Sequence, residues 1–503
     1  MRNVTVRSRQ ATATAALRTA AVAVTALLGA AAAIHAQAPA PRSLTLQEAI
    51  ALAQKQGLAA SSARDSRDAA RWHDRAFNAR LLPQLSFGGD ALRLDNGINP
   101  IIQPDGSTLL IKTRNNVSEM GMTIAQPLPW TGTELTLSSL VTRYEVLGAN
   151  DVTARYWQTR PVVLGIRQQL FRPRTRLWDQ RQQDVSLTIA ERQYLEARED
   201  VAGATVAAFF DYYAAGVAEA NAASNVAVND TLYTLNKGRY EVGKIGENDL
   251  LQSELALLRA RTSLDGAKLE RDRTEAALRR LLNLDGNQRI ELVPPTDVPT
   301  VQADPEMAVQ QALRNASATE QMELEEVVAK RHISEARLNN GFGATVAAQV
   351  GVNQSATAFN KAYQAPLPSQ TVSVAIEMPF FQWGGGRADV QAARADQSRI
   401  KSTAQARRLA MEEDARFAAL QLAQTERVLA ISAKADTVAS KRFDVAKNRY
   451  VIGKIGISDL YIGQNEKDQA LQAYVQALRA YWTAFYRLRR LTLYDFVDKA
   501  PIQ

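Results

Sequence analysis

Cysteine is absent from this 503-residue chain, which removes disulfides, thiolate metal sites and thiol nucleophiles together. Histidine is scarce. His35, His73 and His332 lie far apart in sequence, whereas a histidine-based zinc site gathers several ligands. Beyond the N-terminal region no stretch reaches the ~18 uninterrupted apolar residues of a membrane-spanning helix. That leaves a β-barrel open, because each barrel strand gives only a weak signal. The formal charge of +8 raises nucleic acid as a partner, but no stacking or helix-turn-helix pattern accompanies it, and part of the charge lies in the N-terminal segment. No nucleic acid is expected, and no nucleophile–base or metal constellation points to an enzyme or a cofactor.

The N-terminus carries Arg2, Arg7 and Arg9, then the small apolar run "TAAVAVTALLGAAAAI" at residues 19–34, then "HAQA". This is the charged, apolar and small-residue order of a secretory signal peptide, with cleavage expected after Ala36 or Ala38. An alanine-rich helix of the mature protein is the alternative. With no cysteine at the junction, a lipoprotein anchor is excluded.

One short stretch occurs twice: "RYEVGKIGENDL" at 239–250 and "RYVIGKIGISDL" at 449–460 agree at eight of twelve positions. Unrelated segments agree at roughly one in twelve, so the chain is read as an internal duplication. Residues 174–240 and 387–450, which precede the two copies, are proline-free and rich in helix formers. After the second copy, Leu471, Tyr474, Leu478, Tyr481, Phe485 and Leu488 follow the three-four spacing of a coiled-coil seam; after the first, Leu251, Leu255 and Leu258 begin a similar stripe. Gly243, Gly246, Gly453 and Gly456 interrupt the pattern, so each copy is the tip of a helical hairpin. Amphipathic helix starts at 43–57 and 304–317, with Ser43 and Asp304 as candidate N-caps, open the two halves. A helix over 44–82 is expected to run along the first long arm.

Between the helices the period changes to two. Val372, Val374, Ile376 and Met378 share one face, as do Val346, Ala348, Val350 and Val352, then Val162, Leu164 and Ile166, then Met120, Met122 and Ile124. Strands are expected near 85–94, 117–126, 133–143 and 161–170 in the first half and near 344–353 and 371–380 in the second. The first half is longer: 192 positions separate Glu48 from Tyr240, but 144 separate Glu306 from Tyr450. The excess falls between Pro83 and Pro161 and accommodates one further pair of spanning strands, or a long loop hairpin outside the membrane. The resulting organisation is a signal peptide at 1–38, a first repeat at 39–292 with its tip at 241–248, a linker at 293–305, a second repeat at 306–495 with its tip at 451–458, and a tail at 496–503.

In this order "SLTLQEAIALA" (43–53), "LLPQLSF" (81–87), "LFRPR" (170–174), "PFFQWGGGR" (379–387) and the two tips resemble the TolC family of outer-membrane efflux proteins over about residues 43–495. The resemblance implies a mixed α and β membrane protein: a homotrimeric transmembrane β-barrel in outer-membrane lipid, continued by a long periplasmic α-helical coiled-coil barrel. It implies an outer-membrane channel of a tripartite efflux or type I secretion system, served by a periplasmic adaptor (membrane fusion) protein and an inner-membrane transporter. Drug, metal and protein export share this scaffold, and cargo choice is expected to reside in the inner-membrane partner.

On the same resemblance, Gly243, Lys244, Ile245 and Gly246, with Gly453, Lys454, Ile455 and Gly456, are the adaptor-docking tips. Asp249 and Asp459 lie at the periplasmic aperture, and Tyr240 and Tyr450 match positions that hold it closed. Where many relatives have a second acidic residue one turn on, this chain has Ile462, so a single acidic ring and weaker cation block are expected. Either aspartate also reads as a helix cap or dipole partner. A periplasmic coiled-coil adaptor or scaffold without a pore is the competing reading, but adaptors place their β-domains outside one central hairpin. "WGGGR" (383–387) lacks the lysine and hydroxyl of a phosphate loop and reads as a strand-to-helix turn. Glu412, Glu413 and Asp414 read as a solvated helix face.

Overall fold

The computed structural model describes residues 42–147, 152–284, 290–295 and 298–502; the signal peptide assigned to 1–38 and part of the linker lie outside them. In chain order the elements are β1 (Arg42–Thr45), α1 (Leu46–Gln56), α2 (Leu58–Arg80), β2 (Gln84–Gly88), β3 (Arg93–Ile102), β4 (Thr108–Leu128), β5 (Thr133–Leu147) and β6 (Val152–Leu170). There follow α3 (Thr175–Glu241), α4 (Glu247–Leu282), β7 (Ile290–Val293), α5 (Pro305–Asn315), α6 (Ser317–Asn339), β8 (Gly343–Ala356), β9 (Leu367–Glu377), α7 (Gly385–Val451) and α8 (Ile457–Thr492), then the short pair β10 (Tyr494–Asp495) and β11 (Ala500–Pro501). Helix lengths repeat: 11 residues in α1 and α5, 23 in α2 and α6, 67 in α3 and α7, 36 in α4 and α8. A 67-residue helix is about 100 Å along its axis.

The described residues fall into two compact units, one made of those up to 57 with those between 205 and 298, the other of those between 58 and 204 with those from 299 onward. In the first, β1 pairs in parallel with β7, and the Tyr212 hydroxyl donates to the Ile290 carbonyl at 2.9 Å. Leu44, Leu46, Ala49 and Ala53 are buried there, as are Val206, Phe209, Phe210, Leu278 and Leu282. Arg261 and Arg271 of α4 reach Asp230 and Glu219 of α3 at 3.3 and 3.1 Å, tying the arms of the hairpin. α3 contains an 18-residue window apolar enough by composition to cross a membrane, but 44% of that window is buried inside the protein.

In the second unit α5, α6 and α8 all pack along α7. The seam holds as the spacing predicts: Leu478, Tyr481, Phe485 and Leu488 are buried, with Leu471 and Tyr474 half-buried. Small residues of α7, Ala415, Ala418 and Ala419, let the helices approach closely around Leu422. Beside this core Arg489 grips Glu199 with two bonds of 3.0 and 3.3 Å and also pairs with Asp495, while its guanidinium lies 5.7 Å from the Phe485 ring.

Several expectations are corrected. Thr45, not Ser43, caps α1: its hydroxyl accepts from Glu48 N–H while Glu48 accepts from Thr45 N–H, a reciprocal box that Ser43, with Leu46 three residues on, has no carboxylate to form. Ser43 sits in β1. Asp304 does cap α5, accepting from Glu306 N–H at 3.3 Å. The helix expected over 44–82 breaks at Gly57, whose ψ of 142° leaves the helical region; a Cβ there would lie 2.4 Å from the Ala53 carbonyl oxygen. The strand expected at 85–94 is interrupted at 89–92, where Gly89 runs so close to β4 that a Cβ would meet Glu119 O at 1.9 Å. Leu251, Leu255 and Leu258 are exposed; α4 turns Ser253, Leu257, Leu278 and Leu282 inward instead. α4 is thus apolar on two sides, and its own chain covers one.

The sheet runs β2-β4-β5-β6-β8-β9, with β3 continuing the β2 edge along β4. All neighbours are antiparallel. The first half therefore supplies four strand paths and the second supplies two, with β5 and β6 inside the sheet between β4 and β8. Register aligns Leu85, Ile124, Leu137, Leu164 and Val350 in one row across five strands, and every one of them is exposed. The adjacent row, on the opposite face, is Ser86, Thr123, Ser138, Val163, Gly351 and Ser369. One face is aliphatic and the other small or polar, as the period-two pattern predicts.

Candidate functional site

The first tip closes α3 and opens α4. Gly243 has φ +71°, its N–H donates to Tyr240 O at 2.8 Å, and Lys244 N–H donates to Arg239 O at 2.8 Å. This nested pair is a Schellman ending, which needs the left-handed backbone that glycine adopts without strain. The second tip repeats it: Gly453 has φ +73°, Gly453 N–H donates to Tyr450 O at 2.9 Å, and Lys454 N–H donates to Arg449 O at 2.9 Å. Gly246 and Gly456 then occupy the N-cap positions of α4 and α8, both extended and without a side-chain cap. The Gly243 and Gly453 α-carbons face open space, Lys244 and Lys454 are exposed, and Ile245 and Ile455 are each half-buried.

Asp249 and Asp459 stand three residues after those N-caps, in the first turn of each returning helix. Neither is the cap itself. Their carboxylates lie at the positive end of the helix dipole, a placement worth about 0.3–1 kcal/mol at an exposed site. Asp459 is exposed and Asp249 half-buried, and Ile462, one turn on, is 52% exposed.

The two tips differ in packing. Tyr450 is buried, whereas Tyr240 is exposed. Below the second tip Ile457 and Leu460 are buried, and Gly463 brings α8 close to α7, with Ala446 Cβ at 3.7 Å from where its own Cβ would stand. Arg442 pairs with Glu466 across the arms, and Lys467 lies 5.1 Å from the Phe443 ring. Tyr461 was not foreseen from sequence. Its hydroxyl is buried without a hydrogen-bond partner among the described residues. The only signal for it was its place one residue beyond Leu460 in the second tip, where the first has Leu251.

Burial, reinforced by the neighbouring Tyr450, pushes the Tyr461 phenol up to about 12 from its usual 10. Burial does the same to Tyr481 and Tyr486, each raised to about 12. Between those values the folded chain keeps protons that the unfolded chain releases. The stabilisation is therefore complete below pH 10 and fades as pH rises toward 12. Denaturant midpoints followed by circular dichroism should fall across that window, and a Tyr461→Phe, Tyr481→Phe, Tyr486→Phe variant should show a shallower fall. Identical slopes would assign the alkaline loss to other groups.

No family model and no curated protein matches this chain. Solved structures do. The CmeC outer membrane channel of Campylobacter jejuni superposes with a TM-score of 0.64 at 15% identity, over 89% of this chain and 85% of that one. The outer membrane protein VceC of Vibrio cholerae gives 0.62 at 12% identity, over 91% and 97%. The open-state MtrE outer membrane channel of Neisseria gonorrhoeae gives 0.58 at 14% identity, over 89% and 88%. These neighbours are channels rather than enzymes, and the present chain has the fold of the TolC-family outer-membrane channels it resembles in sequence.

Proposed function

We propose that this protein is the outer-membrane channel of a tripartite efflux or type I secretion system, passing substrate from a periplasmic adaptor and an inner-membrane transporter to the exterior. The observation that carries the reading is the exposed aliphatic row Leu85, Ile124, Leu137, Leu164 and Val350, backed by a small and polar face. Water is a poor solvent for such a row, and lipid is a good one. Among the described residues β2–β3 and β9 are the two edges of the sheet, and a spanning sheet must close.

Closure by three copies is supported by the helices. On α7, Phe417, Ile431, Val438 and Val445 are exposed at multiples of seven residues, and Leu251, Leu255 and Leu258 of α4 are exposed at three-four spacing. A seven-residue apolar repeat is the seam of a supercoiled partner helix. The equal helix lengths of the two halves support the duplication. The alternative, a pore-less periplasmic scaffold, gives no account of the aliphatic sheet face.

In this reading the Schellman tips carry adaptor docking through Gly243 to Gly246 and Gly453 to Gly456, and Asp459 with Tyr450 forms the aperture. Asp459→Ala should weaken block by divalent cations applied from the tip side several-fold; unaltered block would leave Asp459 as a dipole partner only. The deciding experiment is single-channel conductance of the purified, detergent-extracted protein in a planar bilayer. Small, steady events from a trimeric particle are expected. Silence from a particle of monomeric mass would overturn the channel in favour of the scaffold.

A further inference from the structure

We propose that the cleft at the start of α7 binds the phosphate headgroup of an anionic phospholipid, in the leaflet on the helical side of the membrane. The proposal rests on the channel reading above. The cleft, of about 820 Å³, is lined by Arg337 of α6, by Arg387 and Arg394 of α7, and by Phe380, Phe381 and Trp383 of the strand-to-helix passage. Arg387 and Arg394 are two helical turns apart and share a face. No side chain of the three arginines makes a hydrogen bond or ion pair among the described residues, and no carboxylate lines the cleft. Asp389, on the same turn of α7, is engaged by Asn340 at 3.1 Å. The first turn of α7 has no acidic residue and no side-chain cap, which adds the positive end of a 67-residue helix to the same place.

The aromatic residues supply an independent indication. Trp383 has φ +53°, a backbone conformation costly for a bulky side chain, yet the strain leaves the indole 90% exposed. Phe380 and Phe381 beside it are 87% and 73% exposed, and Phe381 packs edge-on against Trp383 at 4.6 Å. The passage from β6 to α3 repeats the device with Phe171, φ +59° and 61% exposed. Strain spent on holding an indole away from the protein has no return in water. At a membrane interface it places an amphipathic ring at headgroup depth, beside cations that meet the phosphate.

The test uses the full chain reconstituted in phosphatidylcholine vesicles, with brominated phosphatidylglycerol or brominated phosphatidylcholine added at equal mole fraction. The Trp383 signal is the difference between the wild-type protein and Trp383→Phe. Brominated phosphatidylglycerol should quench it about threefold more than brominated phosphatidylcholine, and Arg337→Gln, Arg387→Gln, Arg394→Gln should equalise the two. Single Arg387→Gln and Arg394→Gln variants, each expected to lower the preference, serve if the triple variant does not fold. Equal quenching of the wild-type protein by both lipids overturns the headgroup site. Absence of quenching from protein that floats with the vesicles also overturns it and assigns the cleft to a neighbouring copy. Protein that does not float at all refutes the membrane reading itself.

Discussion

Arg489→Ala should destabilise the full chain by about 3–5 kcal/mol, the cost of leaving buried charge without its partner. Glu199 is 2% exposed, and its two oxygens receive Arg489 at 3.0 and 3.3 Å; Asp495, 15% exposed at its side chain, takes the third contact. Without the guanidinium two carboxylates confront one another where α3, α8 and the chain's last turn meet. An exposed ion pair would cost about 1 kcal/mol or less, so the magnitude itself decides whether the network behaves as buried. Adding Glu199→Ala to Arg489→Ala should recover part of the loss, because it removes the stranded charge as well. Denaturant unfolding read by circular dichroism measures both. A loss under 1 kcal/mol for the single variant would show that water reaches the network.

Gly243→Val with Gly453→Val should abolish export, by tenfold or more, while the protein still assembles and inserts. Valine in a left-handed backbone costs roughly 1–2 kcal/mol, so the chain escapes by giving up the Schellman bonds from Lys244 to Arg239 and from Lys454 to Arg449. Nothing lies within 4 Å of either added Cβ, so the damage is to the shape of the tip and not to a core. Asparagine tolerates the same backbone, and Gly243→Asn with Gly453→Asn should keep most of the export. Full export by the valine pair would remove docking from these turns and leave them as hairpin closures.

The arms were legible because their signals are local and repeated. Proline-free runs, duplicated glycine turns and the seam through Leu478, Tyr481, Phe485 and Leu488 each act within a few residues, and the helices formed where they predict. Features that failed to show have two causes. Thr45 outcompetes Ser43 through Glu48 and the chain leaves the helix at Gly57, both local competitions between neighbouring caps, whereas Gly89 yields to β4, a partner remote in sequence. Leu251, Leu255 and Leu258 announce an apolar stripe, but a stripe does not say which neighbour it serves. Here Ser253 and Leu257 take the inner side. At the tips the Gly-Lys-Ile-Gly repeat marked two turns of the same backbone geometry, whereas the unequal burial of Tyr240 and Tyr450 has no counterpart in the repeat, which reads Arg-Tyr at both places.

The six strand paths have a consequence for calibre. In the proposed threefold assembly they close a wall of eighteen strands, twelve of them from the longer first half. Strands lie about 4.8 Å apart, and barrel width grows nearly in proportion to strand number. Barrels of about eight strands are plugged by their own side chains, while those of 16–18 enclose open water. A wall of that girth, with the row Ser86, Thr123, Ser138, Val163, Gly351 and Ser369 on its inner face, would offer little resistance to flow. In the proposed channel, throughput would then be governed away from the sheet, at the turns that close the long arms.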